Sequence, residues 1–351
     1  MTALADELKA RIARFGPVTV AEYMAECLMH PTHGYYTTRD PLGRAGDFTT
    51  APEISQIFGE MVGLCLAQAW MDQGQPSPFT LAELGPGHGT LMADILRAAR
   101  GVPGFTEAAE VHLVEVSPTL RAAQSVTVGG AMFHDSVESL PDQPLFLVAN
   151  EFFDALPIRQ FIRAEGGWSE RMIGLEDEEL VFGLSAAAPI AMLDEKLEST
   201  AVGDMIETCG ALPGIAHVVG DLIARNGGAA LIIDYGGWDA RGDTFQAVKY
   251  HQKVDPLAEP GQADLTAHVD FAAIAAAVPS AVTEMTDQGV FLERLGITQR
   301  AQRLAQILSG DALKEHIAAH RRLTHPDEMG HLFKVIGLYP NGAPPPAGLT
   351  P

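Results

Sequence analysis

Residues 79–100, FTLAELGPGHGTLMADILRAAR, change period midway. An apolar strand runs into glycines at three alternate positions and then into a helix with apolar residues at helical spacing. Gly85, Gly87 and Gly89 let the backbone turn sharply and approach a ligand with no Cβ in the way. A strand that feeds a helix through so tight a turn is the opening unit of a wound α/β sheet. VHLVEV, PLFLVANE and AALIIDYG repeat the strand signature, apolar enough to be buried in a parallel sheet. A helix through Ile215, Val218, Val219 and Leu222 stops at Asn226, Gly227 and Gly228, and another follows in DFAAIAAAV. AVTEMTD and HLFKVIGL close the pattern with a late antiparallel pair. The fold class is α/β, a doubly wound Rossmann-like sheet, whose ligand lies beyond the carboxyl ends of the strands.

Ahead of the sheet, residues 1–78 read as helices and a covering segment. Leu4, Leu8, Ile12 and Phe15 recur at helix spacing, and a second helix starts at the Thr19–Glu22 capping box. Residues 30–55 form a long polar loop rich in Gly, Pro and Asp, which reads as an ordered lid joined to a helix at Pro52 and Glu53. The body spans 79–340. Within it IRQFIR, WSERMIG and ELVFGL predict an inserted antiparallel meander over about 158–184, and a helical insertion covers about 291–323. The Pro/Gly tail, 341–351, is expected to fray.

Composition removes partners. The chain has 23 Lys+Arg against 45 Asp+Glu, a net charge of −22, which repels nucleic acid. Cys27, Cys65 and Cys209 are scattered, which argues against a disulfide framework and for a reducing, cytoplasmic compartment. No apolar run approaches the ~18 residues of a membrane span, so no membrane insertion is expected. No metal site is expected either: His316 and His320 share a helix face without a third ligand, and His268 with Asp270 makes only two.

The residues after the strands are rich in acids. Glu83 sits beneath the glycine turn, whose sixth position is Thr90 where a dinucleotide fingerprint wants Gly or Ala. An acid-x-G-x-G-x-G turn suits a cofactor that carries an amino group and no pyrophosphate; it resembles motif I of class I S-adenosylmethionine methyltransferases. Glu115 ends the second strand, where a carboxylate accepts both hydroxyls of a ribose or is merely an exposed strand-end acid. Asp135 stands where such enzymes often place an adenine-contacting acid. Asn150, Glu151 and Asp154 end the third main strand. Two carboxylates three residues apart suit the planar donor fork of a guanidinium, unless Asp154 only caps a turn. Asp234 could line the same cleft, His268 is a substrate-side candidate, and Asp270 or Thr266 suits the N-cap of the helix that follows.

GDFTTAPEISQIFGE (46–60), ELGPGHGT (83–90), VEVSP, NEFFDALPIRQF (150–161), IDYG (233–236) and DLTAHVDF (264–271) occur in this order. Together they resemble the MidA-type family of S-adenosylmethionine-dependent methyltransferases, complex I assembly factors whose mitochondrial members are protein arginine methyltransferases. The likeness runs from about Tyr23 to Leu338. It implies a class I methyltransferase fold and S-adenosyl-L-methionine as cofactor, held by Glu83, Gly85, Gly87, Gly89, Glu115, Asp135 and Asn150. Asp47, Thr50 and Glu53, in the segment that closes over it, would bind the cofactor too. Glu151, Asp154 and His268 would face the acceptor. The resemblance further implies symmetric dimethylation of an arginine in a quinone-side subunit of NADH:quinone oxidoreductase. The compartment would be a bacterial cytoplasm, or the mitochondrial matrix for eukaryotic relatives. A small-molecule amino-methyltransferase and a non-catalytic assembly chaperone are the alternatives.

Overall fold

The apolar runs read as strands assemble into one sheet in the computed structural model, which describes residues 2–38, 49–239 and 241–351. Its main strands are β1 (Phe79–Leu84), β2 (Ala109–Val114), β3 (Met132–His134), a strand not read from the sequence, β4 (Leu145–Asn150), β5 (Gly228–Gly237) and β6 (Phe333–Tyr339). They lie in the order β3-β2-β1-β4-β5-β6, all parallel except β6. The order reverses between β1 and β4, so the cleft for a ligand opens at their carboxyl ends.

Alternation along each strand explains the double winding. Leu81, Leu113, Phe146, Val148, Leu231 and Ile233 face one core, filled by the helices Gln56–Asp72 and Thr90–Ala99. Ala82, Leu84, Leu147, Ala149 and Ile232 face the opposite core, under Leu212–Asn226 and Phe271–Ala277. The helix Gln56–Asp72 approaches its neighbour so closely that a Cβ on Gly63 would lie 2.9 Å from the Ile95 Cα.

Several local readings hold. Thr19 and Glu22 make the reciprocal capping box, and the Asp270 side chain accepts the Ala273 N–H at 3.1 Å as an N-cap. AVTEMTD is two dipeptide strands, Ala281–Val282 and Thr286–Asp287, both antiparallel to β6. The break arises because the Glu284 N–H leaves the ladder for the carbonyl of Thr350. The same contact corrects the expectation of a frayed tail. Leu349 is buried in the core with Phe291, and Arg294 donates to the Gly348 carbonyl. Ala347 packs against the same core, and its carbonyl accepts from the Cys65 thiol.

The meander forms from Ile158–Ala164, Gly167–Glu176 and Glu179–Leu184. Two strands not read from the sequence complete its sheet: Met205–Cys209 flanks Ile158–Ala164, and Val18–Thr19 pairs with Gly167–Glu176. Leu4, Leu8, Ile12, Tyr23 and Met24 therefore share a core with Ile158 and Ile173 of the meander. A second small sheet, Gln246–Lys249 with Gln252–Val254 and Asp264–Thr266, packs into that core through Ala247 and Leu265. The helical insertion is three helices, Gln288–Arg294, Ile297–Ala305 and Gly310–Thr324. None of the described helices is long and apolar enough to cross a membrane.

Candidate active site

The carboxyl ends of β1, β2 and β4 border a cavity of about 500 Å³. Its described lining carries Glu53, Glu83, Glu115, Asp135, Glu138, Glu151, Asp154 and Asp264, and no lysine or arginine. The walls between them are apolar, with Leu84, Leu91, Val114 and Leu120. A low-dielectric cavity lined by one sign of charge favours a cationic ligand.

The glycine turn is built as its residues require. Gly85, Gly87 and Gly89 have φ of +61°, +54° and +80°, the left-handed region that L side chains rarely adopt. A Cβ on Gly85 would lie 2.9 Å from the Phe152 ring, so glycine there also lets the loop after β4 pack over the turn. Below the turn, burial pushes the Glu83 carboxyl up to about 8, and its Oε2 has no partner within the protein. Glu53, on the short helix Ala51–Ile54, accepts the Thr90 hydroxyl at 2.7 Å and lies 3.5 Å from His88 Nδ1. Thr50 precedes that helix and lines the cavity. Asp47 lies outside the described residues.

Glu115 follows β2 and is oriented by two donors. Its Oε1 accepts the Ser117 N–H at 2.7 Å and its Oε2 the Gln124 amide at 3.2 Å. Burial raises its pKa. Gln124 also donates to the Gly87 carbonyl at 2.7 Å, tying the acid to the glycine turn. Nothing in the sequence singled Gln124 out, since it is one polar residue on a helix after a Ser-Pro start. Asp135 stands at the cavity rim with its side chain 88% exposed, ion-paired to Arg121 at 2.6 Å.

After β4 the backbone turns at Glu151, a non-glycine residue with φ of +51°. Its Oε1 accepts the Ala51 N–H at 2.9 Å and the Asn150 amide at 3.1 Å, while Oε2 and the Asn150 Oδ1 are buried without a partner. Burial pushes the Glu151 carboxyl up to about 8, and the charge of Asp154 adds to the shift. Burial also raises Asp154, to about 6. Asp234 is fully buried behind them and does not line the cavity; its Oδ2 accepts the N–H groups of Phe152, Phe153 and Asp154. Burial and the charges of Asp154 and Glu151 raise its acid, opposed by its backbone hydrogen bonds. Tyr36, which donates to Asp264 at 2.8 Å, closes the cavity from the N-terminal side. It stands on the short helix Tyr35–Thr38, which no motif in the sequence marks.

His268 is not among the cavity's lining residues. It is exposed, meets Tyr235 edge-on with ring centres 5.5 Å apart, and burial of its ring lowers its pKa. The cavity thus brings together Thr50, Glu53, Glu83, Gly85, Gly87, Glu115, Asp135, Asn150, Glu151 and Asp154, whereas Gly89 and His268 are not among its lining residues.

A parallel wound sheet with an acid-flanked glycine turn after its first strand and a buried acid pair after its fourth defines a methyltransferase of the Rossmann-like class. A family model described as a putative S-adenosyl-L-methionine-dependent methyltransferase matches residues 61–288. The chain is 38% identical to the mitochondrial protein arginine methyltransferase NDUFAF7 homolog of Drosophila melanogaster, over 96% of this chain and 85% of that protein. It is 35% identical to the NDUFAF7 protein of Homo sapiens, over 97% and 84%. A Burkholderia thailandensis protein solved with S-adenosyl-homocysteine superposes with a TM-score of 0.82 at 31% identity, covering 96% of this chain and 92% of that one. The chain belongs to this S-adenosyl-L-methionine-dependent methyltransferase family.

The cavity fits that cofactor. Unpartnered buried acceptors on Glu83 and Asn150 match a ligand with amino donors, and the acid lining matches a sulfonium. Glu115, with Gln124 behind it, would take the ribose hydroxyls, and the glycine turn would admit the ligand close to the backbone. The cofactor supplies a methyl group already activated by positive sulfur.

Proposed function

We propose that this methyltransferase modifies an arginine side chain of a protein, with Glu151 and Asp154 gripping the guanidinium. The observation that carries the reading is the pair itself: Asp154 is buried and Glu151 half-buried on one turn at the end of β4, with the Glu151 Oε2 atom buried and unpartnered. A guanidinium presents five N–H donors in a rigid fork and keeps its charge at neutral pH. Carboxylates that burial holds partly neutral ionise when such a cation enters, so the pair favours a permanently charged acceptor over a neutral one. Holding the fork fixes which nitrogen faces the methyl donor, and alignment supplies most of the rate. Proton loss accompanies or follows transfer, so no strong base is needed.

The relatives named as protein arginine methyltransferases support the same reaction type. We extend the reading to an arginine in a quinone-side subunit of NADH:quinone oxidoreductase, and to a bacterial cytoplasm. The unpaired Cys27, Cys65 and Cys209 suit a reducing compartment. Incubation of candidate subunits with methyl-labelled cofactor, read by mass spectrometry, tests this. Label on an arginine nitrogen is expected; label confined to another residue type, or to a small amine, refutes the arginine reading.

A further inference from the structure

We infer that Asp234 is the positioning residue of the acceptor site: its carboxylate fixes the backbone of residues 152–154 and so sets where the Glu151 and Asp154 side chains stand. The catalytic part of this inference rests on the arginine reading above; the structural part does not.

β4 and β5 run parallel with Ile233 opposite Asn150, and the last bond of the pair is Glu151 N–H to the Ile233 carbonyl at 2.9 Å. Beyond it the chain turns at Glu151, with φ of +51°, and β5 offers no further carbonyl to the three N–H groups that follow. A non-glycine residue stays in that conformation only where its surroundings over-determine it.

Asp234, the next residue of β5, supplies the constraint. Its Oδ2 lies 3.2, 3.0 and 3.3 Å from the N atoms of Phe152, Phe153 and Asp154, and its Oδ1 lies 2.9 Å from the N of Tyr235. The far side of the turn is pinned independently, because the Asp154 carbonyl accepts the Ala267 N–H at 3.0 Å. A carboxylate is the one common side chain with acceptor capacity on both oxygens and no donor to satisfy. An amide here would keep one acceptor and turn its NH2 group toward a backbone N–H. Asp234 does not line the cavity, so it acts on transfer through the turn it holds and through its charge coupling to Glu151 and Asp154.

Asp234→Ala tests this with three readouts. Amide exchange should accelerate at 152–154 by at least about tenfold relative to 80–84 in β1, as three buried donors lose their acceptor. Cofactor affinity by calorimetry should stay within about threefold, since β1 and β2 border that part of the cavity. With an arginine peptide, kcat should fall by about tenfold or more while KM changes less, as expected for misalignment of an acceptor that still binds. The isosteric Asp234→Asn carries the same test should the alanine protein not fold. Unchanged exchange at 152–154, or faster exchange with kcat at the wild-type level, overturns the inference. If the wild-type enzyme labels no arginine, the arginine reading falls and the exchange measurement alone decides the role of Asp234.

Discussion

Glu151 concentrates three costs in one residue: a left-handed backbone, a buried carboxyl and an acid neighbour in Asp154. A left-handed non-glycine residue alone costs of order 1–3 kcal/mol, and such strain collects at functional sites. Replacing Glu151 with Gln keeps the shape and the acceptor for the Ala51 N–H while removing the charge a guanidinium needs. Each charge-assisted bond contributes ~1.5–3 kcal/mol, so arginine methylation should fall by roughly ten- to a hundredfold. Cofactor affinity should barely move. Peptide assays beside calorimetry check both, and a wild-type rate in a protein that binds cofactor normally removes the clamp role. The glycine turn gives the converse case. Gly87→Val puts a branched side chain at φ of +54° on the cavity wall and should abolish cofactor binding. Normal affinity in the folded variant would dissociate this turn from the cofactor.

At the scale of elements, the sequence made most of the wound sheet legible because β1, β4 and β5 are buried apolar runs that end at a glycine or an acid. The small strands were not legible. Val18–Thr19 and Met205–Cys209 are short and exist only through their partners in the meander. The lining of the site followed the same rule: Glu83, Glu115 and Glu151 were visible beside their strands, whereas Gln124, Tyr36 and the constraint exerted by Asp234 come from contacts between distant segments. Tertiary pairing, absent from local pattern, decides such features. The expectation of a lid belongs to this scale too, though residues 39–48 of that segment lie outside the described residues. The helix Ala51–Ile54 is tied to the glycine-turn helix through Glu53 and Thr90, and to Glu151 through the Ala51 N–H. Bound cofactor is expected to stabilise this helix, so amide exchange over 49–54 should slow when cofactor is added. Identical exchange with and without cofactor would mark the helix as fixed scaffold.

Across the whole molecule the buried acids set a pH dependence of definite sign. Burial raises Glu83 and Glu151 to about 8, and Asp94 and Asp154 to about 6. In the unfolded chain such groups titrate near ~4. Between those limits the folded protein without ligand holds more protons than the unfolded one, so its stability is fullest below about pH 4 for these groups and declines as pH rises toward and past 8. The net charge of −22 adds self-repulsion in the same direction. A cationic ligand reverses the trend, because it favours the ionised form of the acids it meets and expels their protons. The Tm of the free protein should therefore fall from pH 5.5 to 9, and the rise in Tm on adding S-adenosylmethionine should grow over the same range. Glu151→Gln should flatten the first curve while leaving most of the second, since Glu83 and Glu115 remain at the cofactor side of the cavity. Scanning calorimetry in buffers of matched ionic strength measures both curves. A free-protein Tm that does not fall over this range would mean that these carboxyls are already ionised in the folded state.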